Sequence, residues 1–322
     1  MTNPDIINST TYLLGDELNY RVDDVFEIND VYDKKLSGND GVLDGNIELT
    51  TEIQPLVPGT PVWKIWMDIN GKNYRAEVEP NMFEIDNYDM WFTPPSANMS
   101  MGATFGRPTG FIPSTFKVPG TLQKYGLLRL IAQLHDWDRD INGTYGVNGV
   151  TPPWSIFVAD AEFGGVVGVY EKLLDGLGQT SDPLVIFDTG TNARFAAGQR
   201  LQIVIECMTS KGADGYFRVY RDWLDPANPQ TSFLQLAYDY NGPTIHPNNV
   251  EKVCYGRMGN YYSDIRFYGN QIISEGSGTL DSGKMREIWY LENLFFNDHV
   301  NDPNKVGVTT PAMLNNYRYI AA

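Results

Sequence analysis

Three short segments of this chain place chemically capable side chains two residues apart: Tyr74-Arg75-Ala76-Glu77-Val78, Gln133-Leu134-His135, and Tyr255-Gly256-Arg257-Met258-Gly259-Asn260-Tyr261. Each reads as a β-strand, and strand side chains alternate between faces. Arg75 therefore shares a face with Glu77, Gln133 with His135, and Arg257 with Tyr261. If the three strands adjoin, one surface collects Arg, Gln, His and Tyr. An arginine and an amide can grip a carboxylate in a bidentate manner. A histidine titrates near neutral pH without special tuning, and a tyrosine donates as a phenol, or serves as a base if Arg257 lowers its pKa. Such a set can bind an acid and move a proton.

Structural roles compete for each residue. Arg75 and Glu77 could form a cross-strand ion pair, and His135, one of three histidines, could be a surface or core residue. Tyr261 stands in an aromatic cluster with Tyr255, Tyr262, Phe267 and Tyr268, in a chain with 19 tyrosines, where sugar-stacking surface and core are both common. Lys72 precedes the first segment, and Tyr255 and Arg257 lie in the third, where they would help to bind a ligand.

The elements that must position these residues are short alternating, β-branched or aromatic runs, such as Pro61-Val-Trp-Lys-Ile-Trp-Met, Gly126-Leu-Leu-Arg-Leu-Ile-Ala-Gln, Trp154-Ser-Ile-Phe-Val and Gly215-Tyr-Phe-Arg-Val-Tyr. Turn dipeptides separate them: Asn70-Gly71, Asn142-Gly143, Asn148-Gly149 and Asp214-Gly215. Many short strands without helical periods point to an all-β sandwich or jelly roll. Only Leu173 to Leu177 hints at a helical turn. The predicted organisation is an acidic arm or edge over residues 1–45, a sandwich over 46–275, and a C-terminal extension over 276–322.

A formal charge of −16 over 322 residues argues against non-specific nucleic-acid binding, because no basic stripe is present to meet phosphates. No apolar run reaches the length of a membrane span, and the N-terminus has no basic region followed by an apolar one, so neither membrane insertion nor a signal peptide is expected. The site of action stays open. Cys207 and Cys254 lie in apolar runs and read as buried free thiols.

The ordered trio resembles the jelly-roll (concanavalin-like) polysaccharide lyases, a group that includes alginate lyases, glucuronan lyases and heparin-lyase-like enzymes. Arg75-Ala-Glu77-Val-Glu79 is similar to their Arg-x-Glu-Leu-Arg strand, with Glu79 in place of the second Arg. Gln133-Leu-His135 is similar to Gln-(Ile/Val)-His, and Tyr255-Gly-Arg257-Met-Gly259-Asn-Tyr261 to Tyr-Phe-Lys-Ala-Gly-x-Tyr without a gap. The resemblance spans roughly residues 46–275 and implies a concanavalin-type sandwich that cleaves an anionic, uronate-containing polysaccharide by β-elimination, with no cofactor. It implies that Arg75 and Gln133 neutralise the uronate carboxylate. Tyr261 would act as acid, the base being either Tyr261 as well or His135, and His135 in the former case would set the protonation of Tyr261. Glu77 would orient Arg75. The Glu79 position points away from alginate itself as substrate.

Other motifs carry less. Gly278-Thr-Leu-Asp-Ser-Gly283-Lys284-Met285 has phosphate-loop spacing, but Met285 replaces the magnesium-binding hydroxyl. Asp136-Trp-Asp138-Arg-Asp140-Ile-Asn142-Gly143 leaves a structural calcium ion open, although its Gly is displaced and the closing Glu is missing. No His/Cys metal spacing is present. A second function class stays open beside the enzyme: a non-catalytic carbohydrate-binding or phage virion surface protein on the same sandwich, self-associating or assembling through its terminal extensions.

Overall fold

The computed structural model of the chain describes residues 11–13, 32–37, 47–55, 62–69, 75–80, 97–117, 127–137, 152–161, 164–171, 184–190, 197–224, 234–245, 253–262, 265–281 and 283–298. In chain order the strands are β1 (Thr11–Leu13), β2 (Tyr32–Ser37), β3 (Ile47–Thr50), β4 (Val62–Asp68), β5 (Arg75–Pro80), β6 (Ala97–Gly106), β7 (Leu128–Trp137), β8 (Trp154–Ala161) and β9 (Gly164–Glu171). They continue with β10 (Leu184–Gly190), β11 (Arg200–Thr209), β12 (Tyr216–Leu224), β13 (Gln235–Asn241), β14 (Val253–Tyr261), β15 (Thr279–Asp281) and β16 (Lys284–Asp298). They form two antiparallel sheets. The larger runs β13-β12-β11-β6-β16-β4-β3, with β1 and β15 paired to β16, and the smaller runs β10-β9-β8-β7-β14-β5-β2. Hairpin pairs such as β7–β8–β9–β10 and β11–β12–β13 alternate with long-range pairs, β6–β11, β6–β16, β4–β16, β7–β14, β5–β14 and β2–β5, which is the crossing pattern of a jelly-roll β-sandwich.

The alternation seen in the sequence is what packs the two sheets. Ile65, Met67, Phe105, Ile203 and Ile205 of the larger sheet meet Ile156, Val158, Val167 and Val169 of the smaller one in a single apolar core. Trp154 stacks on Phe217 across this core, with centroids 4.5 Å apart and planes 11° apart, and its indole N–H donates to the Thr244 carbonyl at 2.8 Å. At the sheet edges Asp188 of β10 accepts from Arg221 Nε of β12 at 2.5 Å, Arg221 Nη2 at 2.9 Å and Trp223 Nε1 at 3.1 Å. Cys207 is a buried free thiol, with its pKa raised by desolvation.

Two features depart from the sequence reading. Ile265–Ser274 is a helix, α1, inside a stretch that reads as strand and aromatic cluster. Its Tyr268, Ile272 and Ile273 recur at helical spacing and pack on the sandwich core. The boundary at 275 also falls too early. β16, within the segment read as an extension, is hydrogen-bonded to both β6 and β4, and its Trp289, Leu291 and Leu294 are buried. On the N-terminal side β2 lies at the edge of the smaller sheet beside β5. The phosphate-loop-like segment is the β15–β16 hairpin. Leu173–Leu177 and residues 138–143 of the calcium-like segment lie outside the described residues. Among the described residues no helix is long and apolar enough to cross a membrane, and no group of three or more His, Cys, Asp or Glu is placed to hold a metal ion.

The outer face of the larger sheet carries a pH-sensitive group. Glu206 is fully buried, accepts from Tyr216 Oη at 3.2 Å, and has Arg218 3.8 Å away, itself shared with Asp239. Desolvation outweighs these partners and pushes its carboxyl up to about 7. A folded-state pKa above the unfolded value means that the folded chain binds the extra proton. This contribution is therefore complete below about pH 4.5 and is lost as pH rises through about 7. We expect Glu206→Gln to flatten the part of the stability–pH curve between pH 5 and 7 in urea melts, by up to about 3 kcal/mol. An unchanged slope would show that Glu206 ionises normally.

Candidate active site

The three chemically suggestive strands are hydrogen-bonded neighbours, with β14 between β5 and β7. Their register sets Tyr261 opposite Arg75, Gly259 opposite Glu77, Arg257 opposite Gln133 and Tyr255 opposite His135. Gly259 permits this pairing. It has φ of +149°, and a Cβ there would lie against the Ala76 carbonyl oxygen and 2.6 Å from the Glu77 Cα. Any larger residue would push β14 away from β5. The β7–β14 register shifts between Met258 and Tyr261, a bulge of the kind that re-aims a side chain at a sheet's working surface.

The side chains converge on the face of the smaller sheet that looks away from the core. Glu77 is fully buried and organises the group. One carboxylate oxygen accepts from Gln133 Nε2 and the other pairs with Arg75 Nε at 3.0 Å. The Arg75 guanidinium carbon lies 4.4 Å from the centre of the Tyr261 ring, within cation–π range. Gln133 and Arg257 are buried, whereas Arg75 and Tyr261 are partly exposed. The Arg75–Glu77 ion pair is common to the orienting role and the structural role read from the sequence. The expectation that Gln133 offers its amide hydrogens to a ligand meets a competitor, because Nε2 already donates to Glu77.

His135 and Tyr255 stand in the strand register, and their backbones place them beside this group. Lys72 lies outside the described residues. Sequence reasoning passed over Ser155. It faces Gln133 across the β7–β8 pair, is buried, and its Oγ has no hydrogen-bond partner. Asn260, between Gly259 and Tyr261, is likewise buried with neither amide atom hydrogen-bonded. An unsatisfied buried polar group costs about 1–3 kcal/mol, so both side chains call for a hydrogen-bonding partner. The only signal in the sequence is a serine in an otherwise apolar strand, Trp154-Ser155-Ile156-Phe157.

Chemically, the surface offers a guanidinium pinned by a carboxylate, a second buried guanidinium, an amide and a phenol. It holds no metal-ligating cluster among the described residues.

Several solved structures are similar to the chain in fold. An endo-β-1,4-glucuronan lyase from the fungus Trichoderma reesei is 14% identical, with 83% of this chain and 94% of that one covered and a TM-score of 0.44. The alginate lyase A1-II' is 13% identical over 84% and 95% of the two chains, with a TM-score of 0.47. A marine alginate lyase from Aplysia kurodai is 11% identical over 90% and 98%, with a TM-score of 0.46. No protein-family model matches the chain, and no curated protein matches it.

Proposed function

We propose that the chain is a polysaccharide lyase that cleaves a uronate-containing polymer by β-elimination. The observation that carries this reading is the convergence of Arg75, Glu77, Gln133, Arg257 and Tyr261 on one face of three adjoining strands. Elimination requires loss of the C5 proton, which is too weakly acidic until the attached carboxylate is neutralised. Glu77 takes up the Arg75 Nε, so the terminal guanidinium nitrogens of that partly exposed side chain are the ones to meet the substrate carboxylate. Gln133 then acts by bracing Glu77, and approaches the carboxylate only if substrate displaces its present partner.

With the carboxylate gripped, a base removes the C5 proton, the electron pair forms the C4–C5 double bond, the C4–O4 bond breaks, and an acid protonates O4. Tyr261 is the acid in this scheme. Either Tyr261 itself or His135 is the base, and Arg75 over the ring fixes the phenol's position. The polymer is the only partner the chemistry asks for, and no step calls for a cofactor. Strands β1 and β2 pair with β16 and β5, so these N-terminal segments contribute to the sandwich itself.

Ultraviolet absorbance during incubation with a panel of uronate polymers tests the proposal, because only elimination creates a conjugated double bond. A rise on at least one polymer is expected. Binding without any rise would favour the non-catalytic glycan-binding reading, which the internal pairing of Glu77 with both donors also suits.

A further inference from the structure

The working face of the smaller sheet is divided. One register row crosses five strands: Arg257 of β14 opposite Gln133 of β7, Gln133 opposite Ser155 of β8, Ser155 opposite Tyr170 of β9, and Tyr170 opposite Leu184 of β10. The charged and amide groups occupy β5, β14 and β7. From β8 onward the same face is apolar. Phe157, Ala159 and Val166 form its buried floor, with Leu130, Tyr170 and Ile186 partly exposed around them. The floor is built to lie flat: a Cβ on Gly168 would come within 2.8 Å of the Phe157 ring, so glycine there lets the ring rest on the sheet.

A polymer chain held at Arg75 and Tyr261 and extending across the strands would reach Tyr170 two strand spacings beyond Gln133, about 10 Å. A homopolymer of uronates would bring a second carboxylate onto this apolar surface, with no cation there among the described residues to receive it. Desolvating that charge is unfavourable. A sugar without charge, bearing a methyl group, would bury it against Tyr170 and Ile186. Ser155 Oγ, unpartnered at the junction of the two halves, is placed to bond a sugar hydroxyl.

Resting on the lyase reading, we infer that the substrate is a heteropolysaccharide in which the cleaved uronate adjoins an uncharged sugar carrying an apolar substituent, either an O-acetyl group or the methyl of a 6-deoxyhexose. The test uses the full chain and three polymers: an O-acetylated polysaccharide alternating glucuronate with a 6-deoxyhexose, the same polymer after mild base treatment, and polyglucuronate. One methyl-sized group in an apolar site changes kcat/KM by roughly 10- to 200-fold. A preference of at least about tenfold for the acetylated heteropolymer over polyglucuronate is expected. Its loss on base treatment assigns the acetyl group, and its retention assigns the deoxy methyl.

Tyr170→Ala and Ile186→Thr should each lower kcat/KM on the preferred heteropolymer by a larger factor than on polyglucuronate, and so erode that preference. Equal or faster cleavage of polyglucuronate overturns the inference, as does an equal effect of both variants on all polymers. If no polymer is cleaved the lyase reading falls, and retardation in gels cast with the same three polymers decides the preference instead. Stronger retardation by the acetylated or deoxyhexose polymer sustains it, and equal or absent retardation overturns it.

Discussion

Tyr261→Phe should cut kcat on the cleaved polymer by roughly 10²- to 10⁴-fold, the range over which a positioned proton donor or acceptor contributes. KM should change little. The substitution removes one oxygen and leaves the ring, so the contact with the Arg75 guanidinium 4.4 Å from its centre and the pairing of position 261 with Arg75 both survive. Tyr261 is partly exposed at the sheet surface, so losing the hydroxyl should leave the thermal midpoint close to that of the unaltered chain. This split separates chemistry from packing. A tyrosine serving only as sugar-stacking surface would lose little in the Phe variant and would show its loss in KM, whereas a phenol that transfers a proton loses kcat alone. His135→Ala, assayed beside it, distinguishes the two open assignments of the base. A loss that is rescued at higher pH fits a His135 that sets the protonation of Tyr261, and a loss at every pH fits His135 as the base itself. Full cleavage by both variants would remove the site assignment altogether.

The sequence made the face-sharing pairs legible, because alternation in a strand is a local property. Adjacency was not local. That β14 lies between β5 and β7 depends on pairings between residues far apart in the chain, and it entered the sequence reading only through a family resemblance. The same limit hid the partner of Gln133. A Gln-x-His strand read alone presents an unclaimed amide, and only the register brings Glu77 of β5 within reach of it. β16 went unrecognised for a different reason. It follows a Gly/Ser-rich stretch from Glu275 that marks the start of the segment read as an extension, yet Trp289-Tyr290-Leu291 and Leu294 are what bind the last strand between β6 and β4. α1 was masked by aromatic residues that suit a strand as well as a helix, although Tyr268 and Ile272 stand four apart. The apolar half of the working face was visible only as part of the near-continuous apolar runs of β8 and β9. Without the fold, those runs could not be divided between the core and the opposite surface.

Separating Arg129 from Glu287 should destabilise the fold strongly. Arg129 of β7 belongs to the smaller sheet and Glu287 of β16 to the larger. Both are essentially inaccessible to solvent, and they meet across the sandwich with Nε 2.5 Å from one carboxylate oxygen and Nη2 3.3 Å from the other. Arg129 also donates to the Leu127 carbonyl at 3.2 Å and lies 5.1 Å from the centre of the buried Tyr262 ring, while Trp289 Nε1 donates to Glu287 at 3.1 Å. Neither charge has water to fall back on. Arg129→Met or Glu287→Leu leaves the other ion buried without its counter-charge, and such removals cost about 3–5 kcal/mol. At roughly 2–4 °C per kcal/mol for a large domain, the thermal midpoint should fall by about 6–20 °C. The double variant Arg129→Met/Glu287→Leu should recover much of this loss, because desolvation offsets most of what the pair gains and apolar side chains of similar volume carry no such cost. The Trp289 indole N–H then loses its acceptor, which keeps the recovery incomplete. Thermal melts of the two single variants and the double variant close this cycle. Additive losses would show that the two residues act independently of each other, and full stability in either single variant would show that the ionised pair is not what joins the sheets at this point.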